Sequence, residues 1–219
     1  MAQTDIEERL TKFYAKNDSE ITINAAPGHF ATSQSHTNFY VDITRIKVRV
    51  KEAKESARAL KEKLESNVET VDTIVCLDGT SVLGGFLANE LEHGNFHMTN
   101  KHETMYVVTP EENSLHQFMF RQNNRLAIEG KNVLLLVDSI TTGQTIQRAQ
   151  ECITYYGGIN VGIAAIFSTK SVIDGEKIYS LFTDEDIPGY QSFLPQECPM
   201  CQKKIPLDAM VNGYGYAKI

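Results

Sequence analysis

The chain has 219 residues and a formal net charge of −7, which suffices for one substantial core and a small appendage but not for two large domains. The acidic balance argues against a general nucleic-acid binder, which needs a basic field toward phosphate backbones, yet leaves room for a phosphorylated small molecule held by a few local donors. No apolar run approaches transmembrane length and no basic leader precedes an apolar segment, so a soluble cytoplasmic protein with no membrane partner is expected.

Asp5 to Lys16 is predicted to form a first helix, with Ile6, Leu10, Phe13 and Tyr14 at helical spacing and Thr4 or Asp5 as its cap. Its apolar stripe is expected to pack on the body or on a partner subunit. Ile21, a Pro27-Gly28 turn and His29-Phe30 follow as irregular chain. Alternation through Phe39, Val41 and Ile43 predicts a strand, with Tyr40 and Asp42 on its other side. His29 and His36 are either solvent-exposed loop histidines or contacts to a planar substrate or a phosphate. Val48 to Ser66, rich in Lys, Glu, Ala and Leu, predicts a helix with a solvated face of mixed charge.

Val71 to Leu77 reads as a buried strand, followed by Asp78, Gly79, Thr80 and Ser81 and then a helix from about Val82 to His93. Gly84 and Gly85 inside that helix each cost about 1 kcal/mol relative to Ala, which close packing on a sheet or close approach of a ligand would explain. Met105 to Thr109, ended by Pro110, and Leu115 to Phe120 read as strands, with Glu111 to Ser114 and Arg121 to Gly130 as surface excursions.

Val133 to Val137 is an uninterrupted apolar run, the pattern of a strand buried on both faces of a parallel sheet. Asp138 ends it, and Ser139, Ile140, Thr141, Thr142, Gly143, Gln144 and Thr145 lead into an amphipathic helix that reaches Tyr156. The first-turn N–H groups of such a helix have no helical partners and point toward an anion, so this connection can hold a phosphate. The strand, loop and helix around Asp78 repeat that geometry, and both loops can emerge at the carboxyl edge of one open sheet.

A Gly157-Gly158 turn, a strand over Ile159 to Phe167, an Asp174-Gly175 turn and a short strand over Lys177 to Phe182 near the sheet edge complete the periodic part. The fold class expected is α/β, an open, mostly parallel, twisted sheet flanked by helices. From Thr183 onward Pro188, Gly189, Pro195, Pro199 and Pro206 interrupt regular structure. Residues 1–182 are therefore expected to form the domain, and 183–219 an irregular C-terminal tail packed on it. In that tail, Gly213-Tyr214-Gly215-Tyr216 is expected to place its aromatics on the body or across a dimer interface.

Of the four cysteines, Cys76 falls in a strand, Cys152 on a helix, and only Cys198 and Cys201 form a close pair, a usage that fits a reducing compartment. Cys198-Pro199-Met200-Cys201 has the spacing of half a structural zinc site. Completing it would require the tail to fold back onto Cys76 and Cys152, or a second chain to lend its own pair. Reduced, locally packed thiols and redox chemistry are the alternatives.

The stretch from Leu134 to Thr145 resembles the sugar-diphosphate binding signature of the type I phosphoribosyltransferases: an apolar strand, acidic residues, then Thr-Thr-Gly-Gly-Ser/Thr. Leu134 to Val137, Asp138, Ile140, Thr141, Thr142, Gly143 and Thr145 carry the match. Val137 stands where the family usually has its first acidic residue, and Gln144 where it usually has a second glycine. Phe30, Ser35, Tyr40 and Asp42 keep parts of the N-terminal substrate-side pattern of orotate phosphoribosyltransferases, whose lysine and glycine are missing around Thr32, Ser33 and Gln34.

The resemblance implies a phosphoribosyltransferase-like fold with a small N-terminal substrate-side hood. It also implies transfer of phosphoribose from 5-phosphoribosyl 1-diphosphate to a nitrogenous base, orotate or a related pyrimidine. In that reading the 5-phosphate lies against Thr141 to Thr145, Asp138 accepts hydrogen bonds from ribose hydroxyls, and pyrophosphate with Mg2+ lies near Asp78 to Ser81. Tyr40 and His36 face the substrate. Arg121 is a catalytic candidate in the loop that closes over the family's active site, where Lys101, His102 and Arg125 are the other basic residues. A homodimer is also implied. With Val137 in place of an acid, the alternative is a noncatalytic ribose-phosphate or nucleotide-binding regulatory protein of the same fold.

Overall fold

A computed structural model of the chain describes residues 5–16, 18–94, 96, 97, 99 and 104–219. Thr4, Lys101 and His102, singled out above, lie outside the described residues. In chain order the elements are β1 (Thr11–Ala15), β2 (Asp18–Ala31), β3 (His36–Asp42), α1 (Thr44–Val48), α2 (Val50–Leu64), β4 (Thr73–Cys76), α3 (Ser81–Glu92), β5 (Tyr106–Val108), β6 (Glu111–Glu112) and β7 (Phe118–Met119). They continue with β8 (Asn132–Ile140), α4 (Gln144–Tyr155), β9 (Ile159–Ser168), β10 (Val172–Ile173), β11 (Glu176–Thr183), β12 (Ser192–Phe193), α5 (Pro199–Gln202), β13 (Ala209–Asn212) and β14 (Gly215–Lys218).

The main sheet runs β10-β11-β9-β8-β4-β5 and is parallel from β11 to β5, with β10 added antiparallel at one edge. Alternation along β8 divides its core in two. Leu134 and Leu136 join Ile74, Leu60, Leu83 and Leu87 on the α2 and α3 side, whereas Leu135 and Val137 join Val75, Ile146 and Ile153 on the α4 side. Both faces are covered, which is why the strand reads as continuous apolar sequence. Along α2, Ala53, Ala57, Leu60 and Leu64 recur at helical spacing and are fully buried, while Lys51–Glu55 and Lys61–Glu65 form i,i+4 pairs toward solvent. At Gly84 an added Cβ would come within 2.3 Å of Cys76 Sγ, so α3 sits on β4 too closely for a side chain there. Nothing lies within 4 Å of the equivalent position on Gly85, and no contact explains that glycine.

The N-terminal region departs from its sequence reading. Asp5 to Lys16 is a short 3-10 turn, Glu7–Arg9, followed by β1, which pairs antiparallel with β2 from Thr11↔Ala25 to Tyr14↔Thr22. Phe13 packs against the main core while Tyr14 points to solvent, so a two-residue period overrides the helical spacing that the same residues also satisfy. The chain over Pro27 to Phe30 is likewise part of β2. Its pairing with β3 shifts register between Pro27 and Phe30, a bulge that accommodates a proline within a sheet.

The C-terminal segment is more than a packed tail. β12 pairs with β3, β13 runs parallel to β2 through Ala209↔Phe30 and Met210↔Ala31, and β14 closes the sheet as a hairpin on β13. The second sheet, β12-β3-β2-β13-β14 with β1 on β2, is thus woven from both ends of the chain. Prolines at the junctions masked these short strands in the sequence. Among the described residues no helix is long and apolar enough to cross a membrane.

Candidate active site

β4 and β8 are neighbours, but the chain proceeds from β4 outward to β5 on one side and from β8 to β9 and β11 on the other. At such a reversal a crevice opens beyond the carboxyl ends of the strands. Here it is a cavity of about 450 Å3 with Asp78 and Asp138 at its base. Residues 139–143 and Thr145 form one wall, Tyr40 comes from the second sheet, Glu112 and His116 from the β6–β7 hairpin, and Tyr214 from the β13–β14 turn.

Lys47 lies beneath this cavity and is 6% exposed. Its ammonium donates to Asp138 Oδ2 at 3.0 Å, to the Asp78 carbonyl at 2.9 Å and to the Gly213 carbonyl. Asp138 Oδ1 accepts from the Ser139 hydroxyl at 3.1 Å. Burial pushes the Asp138 carboxyl above the usual carboxylate range, and Lys47 and Ser139 pull it back. Asp78, held at φ 52 and still open to solvent on the cavity lining, is raised to about 7 by desolvation from the surrounding protein first and by the Asp138 charge second, with Lys47 opposing.

That shift has a measurable consequence for stability. Between the unfolded value near 4 and about 7 the folded chain holds the Asp78 proton that the unfolded chain has lost, so stability falls as pH rises through this window. Urea midpoints taken from pH 5 to pH 8 should decline for the wild type and decline less for Asp78→Asn.

The phosphate-loop candidate is built as its residue types dictate. β8 runs on to Ile140, whose carbonyl accepts from Thr169 N at 3.0 Å, and the Thr141 carbonyl accepts from the Thr169 hydroxyl at 3.1 Å. Gly143 turns the chain at φ 90 and opens α4, whose N-terminus no side chain caps, so its first-turn amides face the cavity rim. An added Cβ on Gly143 would meet Ile173 Cδ1 at 2.8 Å. Gly143→Ala is expected to cost about 1–2 kcal/mol for the left-handed backbone alone, with the Ile173 contact adding to it. Chemical denaturation of Gly143→Ala with and without Ile173→Ala separates the two contributions, because only the contact is relieved by the second change.

The sequence-predicted residues divide at this point. Asp78, Asp138, Ser139, Ile140, Thr141, Thr142, Gly143, Thr145 and Tyr40 come together at the cavity. Gln144 is exposed and does not line it, so it leaves the cradle open. Thr80 turns inward, its hydroxyl donating to the Leu77 and Leu136 carbonyls, and Ser81 bonds Thr109 at 3.1 Å. Of the Asp78 to Ser81 turn, only Asp78 lines the cavity.

Arg121 is not at the cavity: it is exposed and clamped on Glu111 by two hydrogen bonds of 2.8 and 2.6 Å. His36 is also elsewhere, its ring facing Cys201 and His29. His29 is 2% exposed and is neither a loop nor a substrate histidine. The cations the sequence reading missed are Lys47 and Arg148. Lys47 follows buried Ile46 directly and stands four residues after buried Ile43, an apolar setting unusual for a lysine. Arg148 stands three residues after Thr145 on α4 and reaches its hydroxyl at 3.3 Å, a spacing that puts it on the loop's own face.

Residues 43–193 match the phosphoribosyl transferase domain family model. The chain belongs to the phosphoribosyltransferase family. Orotate phosphoribosyltransferase of Sulfurimonas denitrificans is 26% identical over 190 residues, covering 80% of this chain and 86% of that protein. The orotate phosphoribosyltransferase of Caldicellulosiruptor bescii is 36% identical over 81 residues, 36% of this chain and 40% of that one. Among solved structures, Leishmania donovani UMP synthase aligns with a TM-score of 0.55 at 15% identity over 75% of this chain and 34% of its own. Mycobacterium tuberculosis orotate phosphoribosyltransferase, in complex with inorganic phosphate, aligns at 0.50 and 15% identity over 68% and 80%. At these identities the two structures show the fold, and this phosphoribosyltransferase shares their mixed α/β core with helices on both faces of a mostly parallel sheet.

Proposed function

We propose that this phosphoribosyltransferase transfers phosphoribose from 5-phosphoribosyl 1-diphosphate to a nitrogenous base, orotate or a related pyrimidine. The observation that carries this reading is the convergence of Asp138, the Ser139-to-Thr145 loop and Asp78 on one cavity at the sheet's reversal point. The names of the relatives, orotate phosphoribosyltransferases in both organisms, support the base.

In this reading the 5-phosphate rests on the amides and hydroxyls of Thr141 to Thr145, with Arg148 beside them, and Asp138 faces the ribose hydroxyls. A ring nitrogen of the base forms a bond to the anomeric carbon while the bond from that carbon to the diphosphate oxygen breaks. The electron pair leaves with pyrophosphate, and the nitrogen's proton passes to solvent. The chain's contribution is to fix the sugar between the loop and Asp138, and to place a carboxylate near the positive charge that develops on the ring.

Asp78 and Asp138 bring two carboxyl groups to the cavity lining, and only Asp138 is paired with Lys47; this set of hard oxygen donors fits a divalent cation. Asp78, with Asp138 behind it, would hold the Mg2+ that accompanies the diphosphate, and that ion supplies neutralisation of the leaving group. Tyr40, 8% exposed and edge-on to Tyr216 at 5.2 Å, forms the hood side against which a planar base would stack. The family resemblance further supports a homodimer in solution.

A second reading, binding without turnover, is favoured by one observation: both carboxylate oxygens of Asp138 are engaged by Lys47 and Ser139. Pyrophosphate release from 5-phosphoribosyl 1-diphosphate and Mg2+ across a panel of bases separates the two. Release with orotate supports transfer, whereas saturable binding without release from any base leaves the second reading.

A further inference from the structure

The cysteine pair of the C-terminal segment has partners on the second sheet. His29 from β2, His36 from β3 and Cys198 and Cys201 around α5 bring four ligand atoms within 4.8 Å of one another. We propose that these four residues bind one zinc-class divalent ion, which ties the C-terminal segment to the N-terminal strands.

Four of the six ligand–ligand distances lie close to those a tetrahedral ion would impose. With bonds of about 2.3 Å to sulfur and about 2.0 Å to nitrogen, sulfur and nitrogen ligands stand about 3.5 Å apart and two nitrogens about 3.3 Å apart. Here Cys198 Sγ and Cys201 Sγ lie 3.5 and 3.6 Å from His29 Nε2, Cys201 Sγ lies 3.2 Å from His36 Nδ1, and the two ring nitrogens are 3.2 Å apart. Strand register explains the histidine pair: His36 lies opposite Ala31, and His29 is two residues before Ala31, so both rings leave the same face as diagonal neighbours.

The outer contacts set the chemistry of the ligands. His29 Nδ1 is 2.9 Å from the Ile205 carbonyl, which can only accept, so the proton sits on Nδ1 and Nε2 carries a lone pair. That one lone pair faces three neighbours, two thiols and an imidazole, and a hydrogen-bond network cannot satisfy them all along a single direction. A cation at their centre does, with loss of the two thiol protons. His29 and Cys198 are 2% and 0% exposed, so the inner half of the site is built into the core, while Cys201 leaves an entry at the surface.

The site also explains how the chain's end is held. Beyond Cys201, Asp208 Oδ2 accepts from His29 N at 2.7 Å, and β13 then runs beside Phe30 and Ala31 to the turn whose Gly213 carbonyl meets Lys47. Ion, strand and cavity are consecutive along a dozen residues.

Elemental analysis of the full chain purified without chelator should give one zinc per chain. Replacement with Co2+ should give the intense visible bands of a tetrahedral site with a sulfur charge-transfer band in the near ultraviolet. Cys201→Ser, at the exposed ligand, should weaken Zn2+ affinity at least about 10-fold, and Cys152→Ser, remote from the site, should not change it. Chelation should raise amide hydrogen exchange over Ala209–Asn212 and leave β8 unchanged. Substoichiometric metal after growth in zinc-supplemented medium, together with Cys198 and Cys201 reacting with a thiol reagent at the same rate before and after Zn2+ addition, would overturn the site. A cobalt spectrum that survives Cys198→Ser/Cys201→Ser would do the same, and unchanged exchange on chelation would overturn the tie.

Discussion

Asp138→Asn should reduce phosphoribosyl transfer by about 10²–10³-fold, the usual effect of removing one preorganised group from a site of developing charge. It should also destabilise the fold by about 3–5 kcal/mol, because Lys47 would be left as a buried ammonium without its carboxylate. The two effects are separable. In Lys47→Met/Asp138→Asn the unpaired charge is gone, so the urea midpoint should return most of the way toward wild type while transfer stays lost. A double variant no more stable than Asp138→Asn would mean that the pair is not coupled as its 3.0 Å contact indicates. Unchanged pyrophosphate release in Asp138→Asn would remove Asp138 from the reaction and leave only its place beneath the cavity.

The main sheet was legible in the sequence because its strands are buried on both faces. Val133 to Val137 read as an apolar run and Val71 to Leu77 and Ile159 to Phe167 as largely apolar strands, and each is a strand of the parallel sheet, to within a few residues. The loop after Asp138 was legible for a related reason: small and hydroxylated residues between strand and helix have few roles other than to leave amides open. Of the second sheet only β3 was legible, through the alternation at Phe39 and Val41. β2 is long but carries a bulge at Pro27 to Phe30, and β12, β13 and β14 are short and come from the opposite end of the chain, with Ala209 beside Phe30. Pairings of that range leave no periodic trace in either strand.

The same long range hid half of the site chemistry. His29 and His36 stand more than 160 residues from Cys198 and Cys201, so the pair of thiols looked incomplete and the histidines read as loop residues or substrate contacts. Arg121 drew attention as a basic residue in a polar interval, but Glu111 lies across the β6–β7 hairpin and neutralises it. Lys47 is the reverse case. A lysine beside a charged helix reads as solvent-facing, and only the arrival of Asp138 and Gly213 from distant parts of the chain makes its burial tolerable.

Val137→Asp, which would install the acidic residue the family signature usually carries, should not improve the enzyme and should cost about 4 kcal/mol or more. Val137 is 1% exposed, pairs with Ala165 in β9, and faces Val75, Leu135 and Ile146 on the α4 side of the sheet, whereas Asp138 next to it faces Lys47 and the cavity. Successive residues of a strand point to opposite faces, so a carboxylate at 137 would enter the apolar packing of that side, and buried charge is among the few mechanisms that reach such a cost. The new group would titrate far above an ordinary aspartate, so the loss should deepen as pH rises from about 4 toward neutrality, the folded chain holding a proton that the unfolded chain releases. Val137→Thr, close in shape but carrying a hydroxyl, should lose only about 1–3 kcal/mol. Thermal and urea denaturation at pH 5 and pH 8 distinguish these outcomes. If Val137→Asp instead raised turnover at unchanged stability, residue 137 would face the substrate, and the assignment of β8's two faces, with Asp138 alone toward the sugar, would be wrong.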